Sequence, residues 1–303
     1  MNYQIKNDVI KVQINSFGAE LNSLQKINED IEYIWQGDSK YWARHSPILF
    51  PIVGRLKEDS YFYKNQKYSM SQHGFARDYE FEMIEKKDDF VEFRLISDEK
   101  SLEKYPFLFE LNISYKLENS KLIISYKVKN CGDEKIYFSI GAHPAFNWPL
   151  QENEKKEDYF LEFENITNTK RYFLNDKGLV YKNSDLNLVN SKLNLNEELF
   201  LDDALVFNDT NIKNVTFKNK ENKNFIKVEF EKFPYLGIWS KPSGAPFLCI
   251  EPWFGVADWE NCTSKIEEKR GILALEKEEI FSCFYSIEVW YKTILKTLWN
   301  SAL

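Results

Sequence analysis

Apolar and polar residues alternate with a period of two along most of this 303-residue chain. Ile10, Val12 and Ile14 alternate with Lys11, Gln13 and Asn15, and Val91, Phe93 and Leu95 with Glu92 and Arg94. Leu111, Ile113, Tyr115 and Leu117 form another row, followed by Leu122, Ile124, Tyr126 and Val128. Tyr159, Leu161 and Phe163 repeat the pattern, as do Ile226, Val228 and Phe230. Successive side chains of a strand point to opposite faces, so each row predicts a strand with one face in a core. Turn residues separate the rows. Leu117-Glu118-Asn119-Ser120 reads as a hairpin connection, Asn130-Cys131-Gly132-Asp133 ends the next strand, and Pro242-Ser243-Gly244-Ala245-Pro246 parts two late strands. Many short strands with regular turns predict an all-β sandwich or barrel of antiparallel sheet. Short helices are expected near residues 38–43 and 196–201. The charged run at 152–158 reads as a solvated loop. With no internal repeat and no linker composition, one domain is expected over residues 1–290. Residues 291–303, where the alternation stops, read as a C-terminal appendage.

Composition narrows the function. Aromatic residues make up 16% of the chain, an excess that suits pleated sheets and platforms for flat rings. The net charge of -7 argues against nucleic acid or an anionic membrane as partner, since both need a basic face. It leaves room for a phosphorylated small molecule, which needs only a local cluster of Arg or Lys. The N-terminus runs straight into alternation, and no apolar stretch approaches the ~18 residues of a membrane span. Cys131, Cys249, Cys262 and Cys283 form neither CxxC nor a dense disulfide pattern. They read as reduced core residues of a cytoplasmic protein.

Three segments concentrate the candidate chemistry. Ser71-Gln72-His73-Gly74-Phe75-Ala76-Arg77-Asp78 and Gly141-Ala142-His143-Pro144-Ala145-Phe146-Asn147 hold two of the three histidines. Phe247-Leu248-Cys249-Ile250-Glu251-Pro252-Trp253 ends an apolar run on a lone carboxylate, with Pro252 expected to stop the strand. A buried carboxylate is costly unless paired or used, and burial raises its pKa toward what a general base near neutral pH needs. The third histidine, His45, reads as structural. Arg55, after an apolar run and Gly54, requires a carboxylate or ligand partner. Asp203 opens a further apolar run, and Trp239 and Trp253 suit either a sugar-stacking or a packing role. No GxGxxG, P-loop, GxSxG or HExxH appears. A zinc site from His45, His73 and His143 is the one metal arrangement the histidine count allows.

In order and spacing these segments, with Val53-Gly54-Arg55, Asp202-Asp203-Ala204-Leu205-Val206-Phe207 and Gly237-Ile238-Trp239-Ser240-Lys241-Pro242, resemble the aldose 1-epimerase (mutarotase) family, in its LacX-type branch. The resemblance runs from about Ile10 to Val289. It implies a galactose-mutarotase-like supersandwich of large twisted antiparallel sheets, with a sugar cleft on a concave face. It also implies an isomerase acting on a small-molecule aldose, as monomer or homodimer, without cofactor or metal. Glu251 would be the base at the anomeric hydroxyl, His143 the acid at the ring oxygen, and His73 a second donor there. Arg55 and Asp203 would hold sugar hydroxyls. Two departures stand out. His73-Gly74-Phe75 replaces the usual His-Gly-Gly, and Ala142-His143-Pro144 replaces an Asn-His context, so Phe75 and Pro144 are expected to reshape the pocket. The competing readings are a hexose-6-phosphate 1-epimerase using Arg44, Arg55 and Arg77, a non-catalytic sugar-binding protein, and a glycosidase with Glu251 and Asp203.

Overall fold

The computed structural model describes residues 1–221 and 224–291. Most of the expected appendage, residues 292–303, lies outside the described residues. Two large antiparallel sheets dominate the fold. One has nine strands in the order Lys192–Asn194, Tyr159–Phe163, Asn214–Asn219, Asn224–Glu229, Ile280–Tyr291, Lys121–Asn130, Phe109–Glu118, Phe90–Ile96 and Glu82–Lys86. The other runs Val180–Asn187, Asn168–Leu174, Leu205–Asn208, Tyr235–Trp239, Phe247–Phe254, Ile140–Ala142 and Ile48–Leu49, with Ala145–Asn147 also pairing to Phe247–Phe254. A three-stranded sheet, Asn2–Lys6, Ile10–Asn15 and Glu20–Lys26, adds a flank.

The alternating rows become the core as expected. Leu111, Ile113, Tyr115 and Leu117 pair with Val128, Tyr126, Ile124 and Leu122, all buried. The hairpin between them turns at Asn119 and Ser120, Asn119 taking a φ of +54° that asparagine tolerates better than most residues. These side chains share one core with Leu205, Phe207, Leu236, Ile238, Leu248 and Ile250 from the eight-stranded sheet. The two large sheets therefore pack face to face. The other face of the eight-stranded sheet carries separate apolar clusters around Trp253 and around Phe247 and Cys249. The functional residues gather on that second face.

The helical expectations are met in one place out of two. Residues 197–200 form a 3₁₀ turn, Glu197–Phe200, capped by the Asn196 side chain on the Leu199 N–H. Residues 38–43 hold only a turn, with the Tyr41 and Trp42 N–H groups both donating to the Asp38 carbonyl. One short α-helix went unread. Glu99–Lys104 starts at Asp98, which accepts from the Ser101 N–H while the Ser101 hydroxyl accepts from the Asp98 N–H. Among the described residues, no helix is long and apolar enough to cross a membrane. The four cysteines are free thiols.

Candidate active site

Glu251 reaches the cleft because its strand is buried on both faces. Phe247–Phe254 lies between two neighbours, and its side chains alternate: Leu248 and Ile250 enter the main core, while Phe247, Cys249, Glu251 and Trp253 face the other way. Pro252 does not stop this strand. The Ile250 N–H donates to the Pro144 carbonyl, so position 252, two residues on, points its nitrogen to the same side. There the neighbouring chain is interrupted between Ile140–Ala142 and Ala145–Asn147. The absent proline N–H thus costs no ladder bond. His143 occupies that interruption, which is why it meets Glu251.

The Trp253 indole forms the floor. A Cβ at Gly237 would lie 2.4 Å from its Cη2, and one at Gly141 2.5 Å from its Cδ1. Only glycine on both neighbouring strands leaves room for the ring to lie across them. Its N–H donates to the Ala142 carbonyl at 3.2 Å, and the side chain is buried. Gly237→Val should therefore displace Trp253. The expected loss is about 1–3 kcal/mol of stability from overpacking. Denaturant titration of the variant checks this, and an unchanged midpoint would count against the floor.

The cleft has a volume of about 430 Å³. Every residue singled out for chemistry except His45 lines it: Arg55, His73, His143, Asp203, Trp239, Glu251 and Trp253. His143 Nε2 lies 3.2 Å from Glu251 Oε2, with both side chains buried. This contact lacks hydrogen-bond geometry. Among the described residues neither Glu251 Oε2 nor His143 Nδ1 has a hydrogen-bond partner. Leaving such groups buried and unpaired costs about 1–3 kcal/mol each, a cost that a ligand's hydroxyls would relieve.

Burial in the cleft works against a carboxylate-plus-imidazolium pair. Burial pushes the Glu251 carboxyl well above the usual carboxylate range, and the charge of Asp203 pushes it further. Burial depresses His143 to about 3, with the Arg77 and Arg44 guanidiniums adding to the effect. Burial thus works toward the uncharged form of both groups. His73 is neutral for a related reason. Burial and then the His143, Arg77 and Arg44 charges hold its pKa well below normal. The Gly54 N–H donates to its Nδ1 at 3.2 Å, which leaves Nε2 to carry the proton, and the Gln72 side-chain amide lies 3.3 Å from that Nε2. His73 itself has a left-handed φ of +68°. Gly74 follows with φ +71°, where a Cβ would strike the Phe50 carbonyl oxygen at 2.2 Å. The His-Gly pair is thus a backbone requirement as well as a chemical one.

Three expectations change. Arg55 lines the cleft, but its guanidinium is held by Asp59 in two bonds of 2.8 Å, which leaves it less free for sugar hydroxyls. Phe75 packs into the main core against Tyr79, Tyr105 and Phe109, Pro144 is buried with its carbonyl accepting from the Ile250 N–H, and neither lines the cleft. His45 stays apart from the other two histidines. Among the described residues the grouping with metal-ligand atoms close together is instead His143, Cys249 and Glu251.

The sequence reading passed over Trp42. Its ring stacks on His143 at 4.9 Å and 30°, and meets Trp239 edge-on at 5.7 Å. It sits two residues before Arg44, in a segment weighed for a short helix, Arg44 and His45, so the aromatic was the available signal. Asp258 and Lys269 were passed over as well. Lys269 Nζ donates to Asp258 Oδ1 at 2.9 Å and to the Val256 carbonyl at 2.6 Å, with both side chains buried. The Asp258 N–H donates to the Arg55 carbonyl, and its own carbonyl accepts from the Val180 N–H. This pair ties the Val256 and Ala257 wall of the cleft to two other segments. A buried ion pair joined by residues eleven apart has no pattern in the sequence.

Comparison with known proteins bears on the family and the fold. Residues 1–269 match the family described as aldose 1-epimerase. The plasmid-encoded protein LacX of Lactococcus lactis subsp. lactis is 35% identical over 267 residues, covering 85% of this chain and 89% of that protein. A galactose mutarotase related enzyme from Lactobacillus acidophilus superimposes with a TM-score of 0.92 at 36% identity, covering 97% of this chain and 99% of that one. A galactose mutarotase-like protein from Lactobacillus casei gives 0.89 at 30% identity, covering 96% and 100%. The large antiparallel sheets, the cleft on the second face and these similarities together establish that the chain belongs to the aldose 1-epimerase family.

Proposed function

We propose that the cleft interconverts the α and β anomers of an aldose by acid–base ring opening and closure. The observation that carries this reading is the buried Glu251–His143 pair, 3.2 Å apart, with polar atoms left unpaired at the cleft. Ring opening needs one proton removed from the anomeric hydroxyl and one delivered to the ring oxygen. The pair holds a single transferable proton and one free base, which is the inventory required. Sugar hydroxyls donating to Glu251 favour its charged form and shift the proton to His143. Glu251 then takes the O1 proton, the C1–O5 bond breaks with its electrons on O5, and His143 protonates O5. After rotation about C1–C2, His143 recovers the O5 proton as O5 attacks the other carbonyl face, and Glu251 returns its proton to O1. The Nε2–H of His73 is a second donor for the ring oxygen. Trp239 and Trp42 offer ring faces and edges to the sugar.

A phosphorylated aldose is the second reading, and one observation favours it. Arg44 and Arg77 line the same cleft and share a single carboxylate. Arg44 bonds Asp78 Oδ1 at 2.7 Å, and Arg77 Nε lies 4.0 Å from Oδ2. Burial and the Arg44 charge push the Arg77 guanidinium down to about 10, the mark of cations crowded together. Saturation-transfer NMR on free aldoses and their 6-phosphates tests both readings. Acceleration of a free aldose supports the first. A kcat/KM at least ~10-fold higher for the 6-phosphate, lost in Arg77→Gln, supports the second, as expected for a charge-assisted contact of about 1.5–3 kcal/mol. No acceleration of any sugar by folded protein would sink both.

A further inference from the structure

We propose that the base of the cleft is also a site for a divalent transition metal, with Zn²⁺ held by His143, Cys249 and Glu251. An imidazole nitrogen, a thiol sulfur and a carboxylate oxygen from these residues all lie within 4.8 Å of one another, and all three residues are buried. Cys249 and Glu251 are two apart on one strand and face the same way. His143 enters from the interruption in the neighbouring strand, two residues before Ala145, the register partner of Cys249. The Glu251 Oε2 is nine-tenths or more buried, unpaired among the described residues, and lies at the cleft.

The chemistry selects the ion. Zinc bonds of about 2.0–2.3 Å put tetrahedral ligand atoms roughly 3.3–3.8 Å apart, so a movement of about one ångström closes the site. Thiolate and imidazole ligands favour zinc over magnesium or calcium. On binding, the Cys249 S–H and the Glu251 O–H release their protons to solvent as the Zn–S and Zn–O bonds form. A thiolate and a carboxylate then balance the ion's two positive charges, which a buried site requires. His143 and Glu251 line the cleft, which is the route of entry. Asp203, Arg44 and Arg77 line the same cleft, so carboxylate and guanidinium charges both act on the site. Bound zinc occupies the lone pairs that move protons in the proposed epimerisation, so it inhibits. That consequence rests on the epimerase reading; the site itself does not.

Cobalt chloride is the probe, added to metal-free protein and followed by absorption. One equivalent should give tetrahedral d–d bands and a thiolate-to-cobalt charge-transfer band, bleached when zinc chloride is added. Cys249→Ser should lose the charge-transfer band and at least ~10-fold in affinity, the loss typical of weakening a metal's coordination. No stoichiometric band with folded protein overturns the site. So does a band that survives in Cys249→Ala, because the sulfur would then belong to Cys131 or Cys262. In the same variant, anomer exchange should persist while inhibition by zinc weakens at least ~10-fold. A cobalt spectrum as expected with zinc-insensitive exchange would leave the site standing and remove the inhibition.

Discussion

Glu251→Gln should lower kcat for anomer exchange at least ~10²-fold, the usual minimum for a positioned acid or base. Glutamine fills the same space and still accepts hydrogen bonds, but it neither takes nor returns a proton. The change removes a carboxyl that burial has already pushed toward its neutral form, so the protein should stay folded. His143→Asn should cost a similar factor. The two losses should not multiply, because the residues share one proton across 3.2 Å and act as a unit. The double variant is therefore expected within about tenfold of the worse single variant. Saturation-transfer rates on the best aldose of the panel measure all three. Near-normal turnover in Glu251→Gln would take the base away from this residue, and fully multiplicative losses would separate the pair.

Lys269→Met should destabilise the protein by about 3–5 kcal/mol, the range seen when one partner of a buried ion pair is removed. Asp258 would be left buried without its ammonium partner, holding only the Lys57 N–H at 3.0 Å and the Cys262 thiol at 3.5 Å. The Val256 carbonyl loses its donor at the same time. Because Asp258 also holds the Arg55 backbone and the Val180 strand, the damage should reach the cleft wall. Urea denaturation is the measurement. Lys269→Met combined with Asp258→Leu should recover part of the loss, since no buried charge is then left unpaired. A single variant within about 0.5 kcal/mol of the parent, the range of ordinary surface substitutions, would show that the pair carries little.

Much of the fold is legible because strand periodicity is a local property. The rows ending at Leu117 and starting at Leu122 set both the strands and the hairpin between them, since burial of one face decides register. The turn at 38–43 went the other way. Its charged and aromatic residues fit a helix, but the segment is drawn across the cleft, where the Trp35 indole N–H fastens to the Trp42 carbonyl and Trp42 stacks on His143. Pro252 misled for a similar reason. A proline ends a strand only where its missing N–H would have been used, and whether it is used depends on the neighbouring chain.

The candidate site divides along the same line. His73, His143 and Glu251 stand out in the sequence because histidines are few and a carboxylate after an apolar run is costly. Arg55 stands out too, but its partner is the carboxylate of Asp59, four residues on. Trp42, the Asp258–Lys269 pair and the pairing of Cys249 with the two catalytic candidates have no local signature.

The sequence by itself determined the strands, the turns, the family and the residues able to carry protons, because each depends on neighbours along the chain or on motif order. Tertiary structure alone decided that Glu251 and His143 meet beside a gap in a strand, that Trp253 lies across two glycines, and that burial pushes both members of the pair toward their uncharged forms. Those outcomes depend on burial and on charges brought together from distant segments, and solvation and Coulomb energies are set by distance in space, not by separation along the chain.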